Sequence, residues 1–370
     1  MMKILHLSGE PEDCGGVLSV IRNLQTASQP MGWTHTVAVQ SRYEELRKPA
    51  LTYWKNELLC SDSPNHATLF SRAVRSFFEV KRYLRHESFD IIHAHNRGTF
   101  LIGLAIAVLL KRPVIYTNHS YCRRTGMYRW ATRVPNFHTV VLTPNMARHY
   151  RVAVQPPRTN IISACCSDHY FTEPLVTRAS LSGQSGMHRL IGVGNIMRWK
   201  KWHLIAEALS LLQPVDRDRI QFSLWGPTPD DPDSRAYDRE LRTIISERGL
   251  GNHFLLRGPT LSVSDCLRQA DWFVLPSTNE PCSVAMIEAL ALGLPGLVSA
   301  SGGNIDIVKT GQTGLLFEAD QPADLARKLK SIANSETAIL PPDQIRESVR
   351  PRCASVVAAQ YETLFKMIRS

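Results

Sequence analysis

The feature that most constrains this chain is an alternation run twice: short apolar segments, each followed by a segment of helical periodicity. In the first half, residues 3–7, 36–40, 90–95, 113–116, 139–142 and 160–163 read as strands, with helical segments such as 17–26 and 98–110 between them. The pattern restarts at 190–194 and continues through 220–225, 254–257, 272–275, 294–298 and 311–317. Helices interposed between strands carry the chain back across a sheet, so the strands pair in parallel and the class is α/β. At 370 residues the chain exceeds one ordinary core and suits two. Small, polar, unpatterned residues with Gly183 and Gly186 fill 172–187, where a linker is expected. The partition this predicts is an α/β domain over 1–175, a linker over 176–188, a second α/β domain over 189–345, and a closing helix over 346–370 that packs back toward the first domain.

Composition narrows the class. Hydrophobic content of 44% and charged content of 21% are those of a water-soluble globular protein. Residues 1–7 lack the apolar core of a signal peptide and read as a first strand. The longest apolar run, 100–110, is short of the roughly 20 residues that span a bilayer, and reads as a buried helix. The eight cysteines show no Cys-x-x-Cys pair and no zinc-like spacing, which points to reduced thiols in the cytoplasm. His93-Ala-His95 puts two rings on one face of a strand, but with no carboxylate or cysteine beside it the reading is no metal.

The net charge of +10 is one-sided. Residues 1–182 hold 22 Lys and Arg against 12 Asp and Glu, while 183–370 hold 21 of each. No acid occurs between Asp90 and Asp168, where ten basic residues lie from Arg97 to Arg158. Such a half faces an anion: an acidic polymer, nucleic acid or an anionic membrane surface. Residues 71–84 form an amphipathic basic helix, for which a solvated charged face is preferred to a membrane-contacting one. Residues 121–135 interleave Tyr121, Tyr128 and Trp130 with Arg123, Arg124, Arg129 and Arg133, which suits a lipid interface, nucleic acid or an acceptor loop.

The stretch that carries most chemistry is 271–303, read as strand, loop, helix, strand, loop. Glu280 falls in the loop at a strand's carboxyl end, where open α/β sheets place their ligands. Glu288 falls inside the following helix, a position that taken alone suits a surface acid. The backbone around Cys282, Ser283 and Val284 opens that helix, with Ser283 as N-cap, and is suited to receive an anion. In the first half Gly15-Gly16 sits between strand and helix, where it permits close backbone approach to a ligand. It has neither the Gly-x-Gly-x-x-Gly spacing nor the Gly-Lys-Ser/Thr of a P-loop. His119 also sits at a strand's carboxyl end.

Taken in order, these pieces resemble the retaining glycosyltransferases of GT-B fold, of the family 4 type. The matching pieces are Gly15-Gly16, Asp90-Ile-Ile-His-Ala-His95, Pro113-Val-Ile-Tyr-Thr-Asn-His119, Gly192-Val-Gly194 with Lys200, and Trp225-Gly226-Pro227. They continue with Ala270-Asp271 to Ser277, Glu280-x7-Glu288-Ala289, Gly293-Leu-Pro295, Gly302-Gly303 and Gly311-x-x-Gly314. The resemblance implies two Rossmann-like parallel-sheet domains facing a cleft, with a nucleotide-sugar donor held mainly by the C-terminal one. Carried over by position, Lys200 neutralises the donor diphosphate, Glu280 meets the donor sugar near the reacting carbon, and Glu288 binds the ribose hydroxyls. Cys282, Ser283 and Val284, with Gly15 and Gly16, bring backbone N–H groups toward phosphates and sugar, and His119 contacts the donor sugar. No metal or other cofactor is implied.

The chain departs from the family pattern in named places. Asn195 stands where an arginine is usual, with Arg198 as the candidate replacement; Lys200-Lys201 stands for Lys-Gly, so Lys201 is a second candidate for the diphosphate. Ala164-Cys165 replaces an Asn-Gly, and Glu280-Pro-Cys-Ser a more Gly-rich loop. The expectation is an enzyme moving a sugar from a UDP- or GDP-linked donor to a glycan or lipid-linked acceptor in envelope polysaccharide synthesis. It would be cytoplasmic and peripheral at the inner face of an anionic membrane. A nucleotide-sugar epimerase or phosphorylase of the same fold is the rival enzyme. A non-catalytic sugar-nucleotide-binding protein rests on Asn195 alone, and a nucleic-acid binder would leave the ligand-facing residues idle.

Overall fold

The computed structural model describes residues 2–13, 15–47, 50–61, 65–176 and 186–369. Two compact units result: Met1–Cys165 with Ala354–Ser370, and Cys166–Cys353. The chain passes between units at Cys165/Cys166 and again at Cys353/Ala354. Most of the 176–188 linker lies outside the described residues, at 177–185.

The first unit holds seven parallel strands: β1 Met2–Leu7, β2 Trp33–Val39, β3 Thr52–Lys55, β4 Ile91–Ala94, β5 Val114–Asn118, β6 Phe137–Val141 and β7 Thr159–Ile161. Their order is β3-β2-β1-β4-β5-β6-β7. β1 aligns Leu5 with Thr36 of β2 on one side and with Ile92 of β4 on the other. The sequence did not announce β3: Thr-Tyr-Trp-Lys is an edge strand with no fully buried position, so it lacks an apolar run. Helix Ala354–Arg369 belongs to this unit, where the Phe365 ring meets Trp33 at 5.0 Å and Tyr361 reaches Thr117 with a 3.0 Å hydrogen bond.

Two helices differ from expectation. The run read as one buried helix over 98–110 is α-helical over Arg97–Ala105 and then widens to a π-helical segment, Ile106–Leu110. Val108 and Leu109 are exposed there, so the run is not buried throughout. The amphipathic helix is longer than its apolar pattern, His66–His86, because Asn65 caps it by accepting from the N–H groups of Ala67 and Thr68.

The second unit has six parallel strands: β8 His188–Val193, β9 Ile220–Trp225, β10 Phe254–Gly258, β11 Trp272–Leu275, β12 Gly296–Ser299 and β13 Gly314–Phe317. Their order is β10-β9-β8-β11-β12-β13. Phe222, Phe254, Phe273 and Phe317 fill its core. The acid-rich run 230–238 is mostly helix: Asp231 caps Pro232–Glu247, with Pro at the first turn. The seven cysteines among the described residues are free thiols.

In both sheets the strand order reverses once, between β1 and β4 and between β8 and β11. At such a switch point the loops leaving two adjacent strands diverge, and the crevice at their carboxyl ends is where open α/β sheets take ligands. No helix among the described residues is long and apolar enough to cross a membrane.

Candidate functional site

In the second unit the loops after β8 and β11 bring two charges together. A 3-10 turn, Arg198–Lys200, ends the first loop, and Lys201 takes a left-handed conformation before helix His203–Leu211. Lys200 Nζ donates to Glu280 Oε2 at 2.6 Å, with the residues only 9% and 6% exposed. A buried pair of this kind is stable only while both partners stay in place. Ser277 Oγ donates to the same Oε2 at 3.0 Å, and the Lys200 ammonium lies 4.3 Å from the centre of the Trp199 ring. Among the described residues Glu280 Oε1 accepts no hydrogen bond, and the ammonium has one acceptor for its three protons.

The Glu280 backbone is clamped from the opposite loop. Gly303 N–H donates to Glu280 O at 2.7 Å, and Gly302 has φ +59 with no room for a side chain: a Cβ would lie 2.6 Å from Glu280 O. Ser299 Oγ donates to Ser277 O at 2.5 Å, and Asn304 holds Ser299 in turn. The helix Val284–Ala291 opens just beyond, with Ser283 Oγ accepting from Met286 N–H at 3.3 Å. The N–H groups of Val284 and Ala285 make no hydrogen bond among the described residues, so they are available to an anion. Cys282 is buried beside them. Glu288 is half-buried on this helix and bonded by the Tyr170 side chain. Burial first, and then the Glu288 charge and bond, raise the Tyr170 phenol well above its usual range.

The other cations expected near the phosphates are held by acids. Arg198 donates to Glu240 at 2.7 Å and lies over the Tyr237 ring. Lys201 bonds Asp320. Lys200 alone of the three is buried with Glu280.

In the first unit Gly15 has φ +84 and open space where a Cβ would be, and it starts helix Gly16–Ser28 without a side-chain cap. The loop before it is anchored by Asp13, which takes two 2.8 Å bonds from Arg22 and the N–H groups of Leu46 and Arg47. Asn96 caps Arg97–Ala105 and reaches Ser8 O at 2.5 Å, so the loops after β1 and β4 are tied at the switch point.

Sequence reasoning found His93, His95 and His119 but not what surrounds them. His6 on β1 and His35 on β2 complete a cluster of five imidazoles. His35 Nδ1 lies 2.9 Å from His6 Nε2, His6 Nδ1 lies 2.9 Å from His95 Nε2, and His95 Nδ1 lies 3.3 Å from His119 Nε2. His93 Nε2 turns to Thr117 Oγ1 at 2.7 Å. The signal in sequence was parity: position 6 shares a sheet face with 4 and is paired to His93, and 35 follows the same face of the neighbouring strand. Burial, reinforced by neighbouring rings, pushes His6, His93 and His95 far below 6.5, and burial brings His35 and His119 to about 4. His6, His93 and His95 each offer a ring nitrogen within 4.8 Å of the others, the spacing of a cation site. Both nitrogens of His6 and His95 are already spent on hydrogen bonds, however, and among the described residues no carboxylate or thiolate joins them.

Comparison with known proteins follows this division. The glycosyltransferase family 4 model matches residues 14–163, and the model of glycosyl transferases group 1 matches 178–350. A D-inositol 3-phosphate glycosyltransferase of Arthrobacter sp. (strain FB24) is 24% identical over 71% of this chain and 67% of its own. A 2-deoxystreptamine N-acetyl-D-glucosaminyltransferase of Niallia circulans is 26% identical over 74% of this chain and 73% of its own. Among solved structures, sucrose-phosphate synthase of Thermosynechococcus elongatus superposes with a TM-score of 0.81 at 19% identity, covering 100% of this chain and 99% of that one. Anabaena HepE, in complex with UDP and glucose, gives 0.74 at 16% identity over 99% and 100%.

Proposed function

The chain belongs to the family 4-type glycosyltransferases of GT-B fold, and from that premise we propose that it moves a sugar, with retention, from a UDP- or GDP-linked donor to a hydroxyl of a glycan or lipid-linked acceptor. The observation that carries this reading is the buried Lys200–Glu280 pair at a switch point, beside the open start of helix Val284–Ala291. In the transfer the anomeric carbon exchanges its bond to the diphosphate oxygen for one to the acceptor oxygen, and the proton of the acceptor hydroxyl leaves with the diphosphate. Negative charge grows on the departing diphosphate, and Lys200 with the N–H groups of Val284 and Ala285 is the fixed positive field that receives it. Glu280 Oε1 is left to meet the donor sugar, and Ser277 and Lys200 hold the carboxylate in place. Glu288 takes the ribose hydroxyls, in exchange for or beside Tyr170. Lys200 is the diphosphate contact rather than Lys201 or Arg198, since it is the buried one of the three, held on Glu280 beside the open helix start, whereas the other two lie further out on Asp320 and Glu240. In the first unit His119 meets the donor sugar and the Gly15-Gly16 loop lets backbone approach it. No metal is needed, since a lysine and a helix start supply the positive charge.

The acceptor side is anionic in this reading. Arg129, Arg133, Arg151 and Arg158 line one surface cavity of about 270 Å³ with no acid among its lining residues. On helix His66–His86, Phe70, Val74 and Phe78 form an exposed apolar stripe at i, i+4, i+8, on the same helix as Arg72, Arg75, Arg82 and Arg85. That combination suits an anionic bilayer and supports a protein peripheral at the inner face of the membrane, acting in envelope polysaccharide synthesis.

Thermal shift against UDP-, GDP- and ADP-sugars tests the donor, because a ligand bound only by the folded state raises the midpoint. A rise with one nucleotide class, followed by nucleoside diphosphate release that requires acceptor, is expected. Release without acceptor would instead indicate an epimerase or phosphorylase, and no shift with any of them refutes the donor assignment. Flotation with phosphatidylglycerol vesicles but not phosphatidylcholine vesicles is expected; equal flotation on both removes the anionic-surface reading.

A further inference from the structure

Four of the five clustered imidazoles form one unbranched hydrogen-bonded chain, and its far end fixes its direction. Ser28 Oγ lies 2.7 Å from Leu24 O and 2.9 Å from His35 Nε2. A hydroxyl has one proton, and a carbonyl can only accept. With that proton on Leu24 O, Ser28 accepts from His35 Nε2–H. His35 Nδ1 is then bare and accepts from His6 Nε2–H; His6 Nδ1 accepts from His95 Nε2–H; His95 Nδ1 accepts from His119 Nε2–H. A neutral imidazole carries one N–H, so no ring in the series can change tautomer alone without setting two protons or two lone pairs against each other. Only a concerted reversal of all four satisfies every junction, and it forfeits the Ser28–Leu24 bond.

We infer that Ser28, His35, His6 and His95 are positioning residues that hold His119 as its Nε2–H tautomer, so that Nδ1 is an acceptor and His119 selects a ligand by a hydroxyl that donates to it. This rests on the reading of His119 as a contact to the donor sugar. His119 makes no other hydrogen bond among the described residues, and it is the half-buried member of a series whose other rings are buried. The low basicity that burial gives these rings keeps the series neutral near pH 7. A neutral acceptor suits a sugar hydroxyl and has no proton to give an oxyanion, which divides the labour: His119 reads hydroxyls, and the phosphates are left to Lys200. The series ends on a carbonyl, so it carries no proton onward; it transmits orientation only.

Selective ¹⁵N labelling of histidine, with two-bond ¹H–¹⁵N correlation on the ligand-free protein near pH 7, distinguishes the two tautomers and the cation ring by ring. The expected pattern is neutral Nε2–H for His6, His35, His95 and His119, assigned by single substitutions. Ser28→Ala removes the terminal acceptor and should give His119 a second or reversed tautomer, and Ser28→Thr, which keeps the hydroxyl, should restore the single one. Nδ1–H or a charged ring at His119 in the native protein overturns the inference, and so does a tautomer unchanged in folded Ser28→Ala. The native spectrum decides even where Ser28→Ala does not fold. Because no nucleotide sugar is present, this outcome is independent of the thermal-shift result: tautomers as expected with no donor binding would refute the functional reading and leave the relay standing.

Discussion

Acid should undo the first unit long before it reaches the carboxylates, and the imidazole cluster sets the size of the effect. His35 and His119 have folded pKa values of about 4, and His6, His93 and His95 lie well below 6.5. Below 6.5 the unfolded chain binds protons that the folded one refuses, so stability is full above that value and falls with pH down to about 4. One pH unit below 6.5, each ring that stays neutral costs the folded state about 1.4 kcal/mol, and five of them about 7 kcal/mol. That rivals the roughly 5–15 kcal/mol that holds an ordinary domain together. Even two rings remaining neutral would take about 3 kcal/mol, on the order of a hundredfold in the opening constant. Asp13 acts beneath this window: burial opposes its charge, but the bonds from Arg22 and from the N–H groups of Leu46 and Arg47 outweigh that and hold it below 3.8. Hydrogen exchange of peptides covering β1, β4 and β5 reads this unit separately from the other. Between pH 7.5 and 5.5, after correction for intrinsic exchange, its opening should rise by at least that hundredfold, and His35→Gln should lower the slope by close to one proton. An opening free energy flat over this range would show that the rings charge without strain, and the account of their burial would be wrong.

Three further outcomes follow from the second unit. Glu280→Gln and Lys200→Ala should each lower turnover by about 10² or more, read as nucleoside diphosphate release, because in the proposed mechanism each removes a charge placed where the transfer develops its own; near-normal rates in both would sink the assignment. Gly302→Ala should leave the protein folded yet slow, since the added Cβ lies 2.6 Å from Glu280 O and 2.8 Å from Glu280 N and must move the loop that carries the carboxylate; circular dichroism and rate measured together check it. Glu288→Ala should, on the proposed ribose contact, raise the donor KM about tenfold or more with a smaller change in kcat, as charge-assisted bonds to hydroxyls bound alike in ground and transition states would be lost; an unchanged KM would return Glu288 to a structural partner of Tyr170.

The alternation of apolar runs was enough to read both sheets, because a parallel strand is buried on both faces and shows its whole length as hydrophobic sequence. β3 escaped for the opposite reason: it is the edge of its sheet, partly exposed at every position, and Tyr53 packs only at the margin of a core cluster while its hydroxyl bonds Arg22 and Glu45. Glu280, Ser283 and the helix they precede were legible because strand, loop and cap are consecutive. Neither Lys200–Glu280 nor Arg198–Glu240 was legible, as these pairs join residues 80 and 42 positions apart and depend on strand order. Strand order has no local signature.

The histidine series makes the same point more sharply. His6 stands in a first strand where it looks like a polar interruption, and His35 is an ordinary alternating residue in β2. Each is separately what a solvated strand face would show. They meet because β1 lies between β2 and β4, an order that only the doubly wound topology imposes. The same topology, repeated in the second unit, brings a lysine and a glutamate together at the corresponding place between β8 and β11. The two solutions differ in electrostatics for a reason that follows from their contents. An ion pair keeps its field only while both charges stay, so it serves where a ligand's charge grows and must be met. A run of neutral rings presents no field, only a direction, and direction is what is needed to tell one hydroxyl arrangement from another. On this argument substitutions at Lys200 or Glu280 should change how fast any sugar is transferred, whereas substitutions along Ser28, His35, His6 and His95 should change which sugar is preferred.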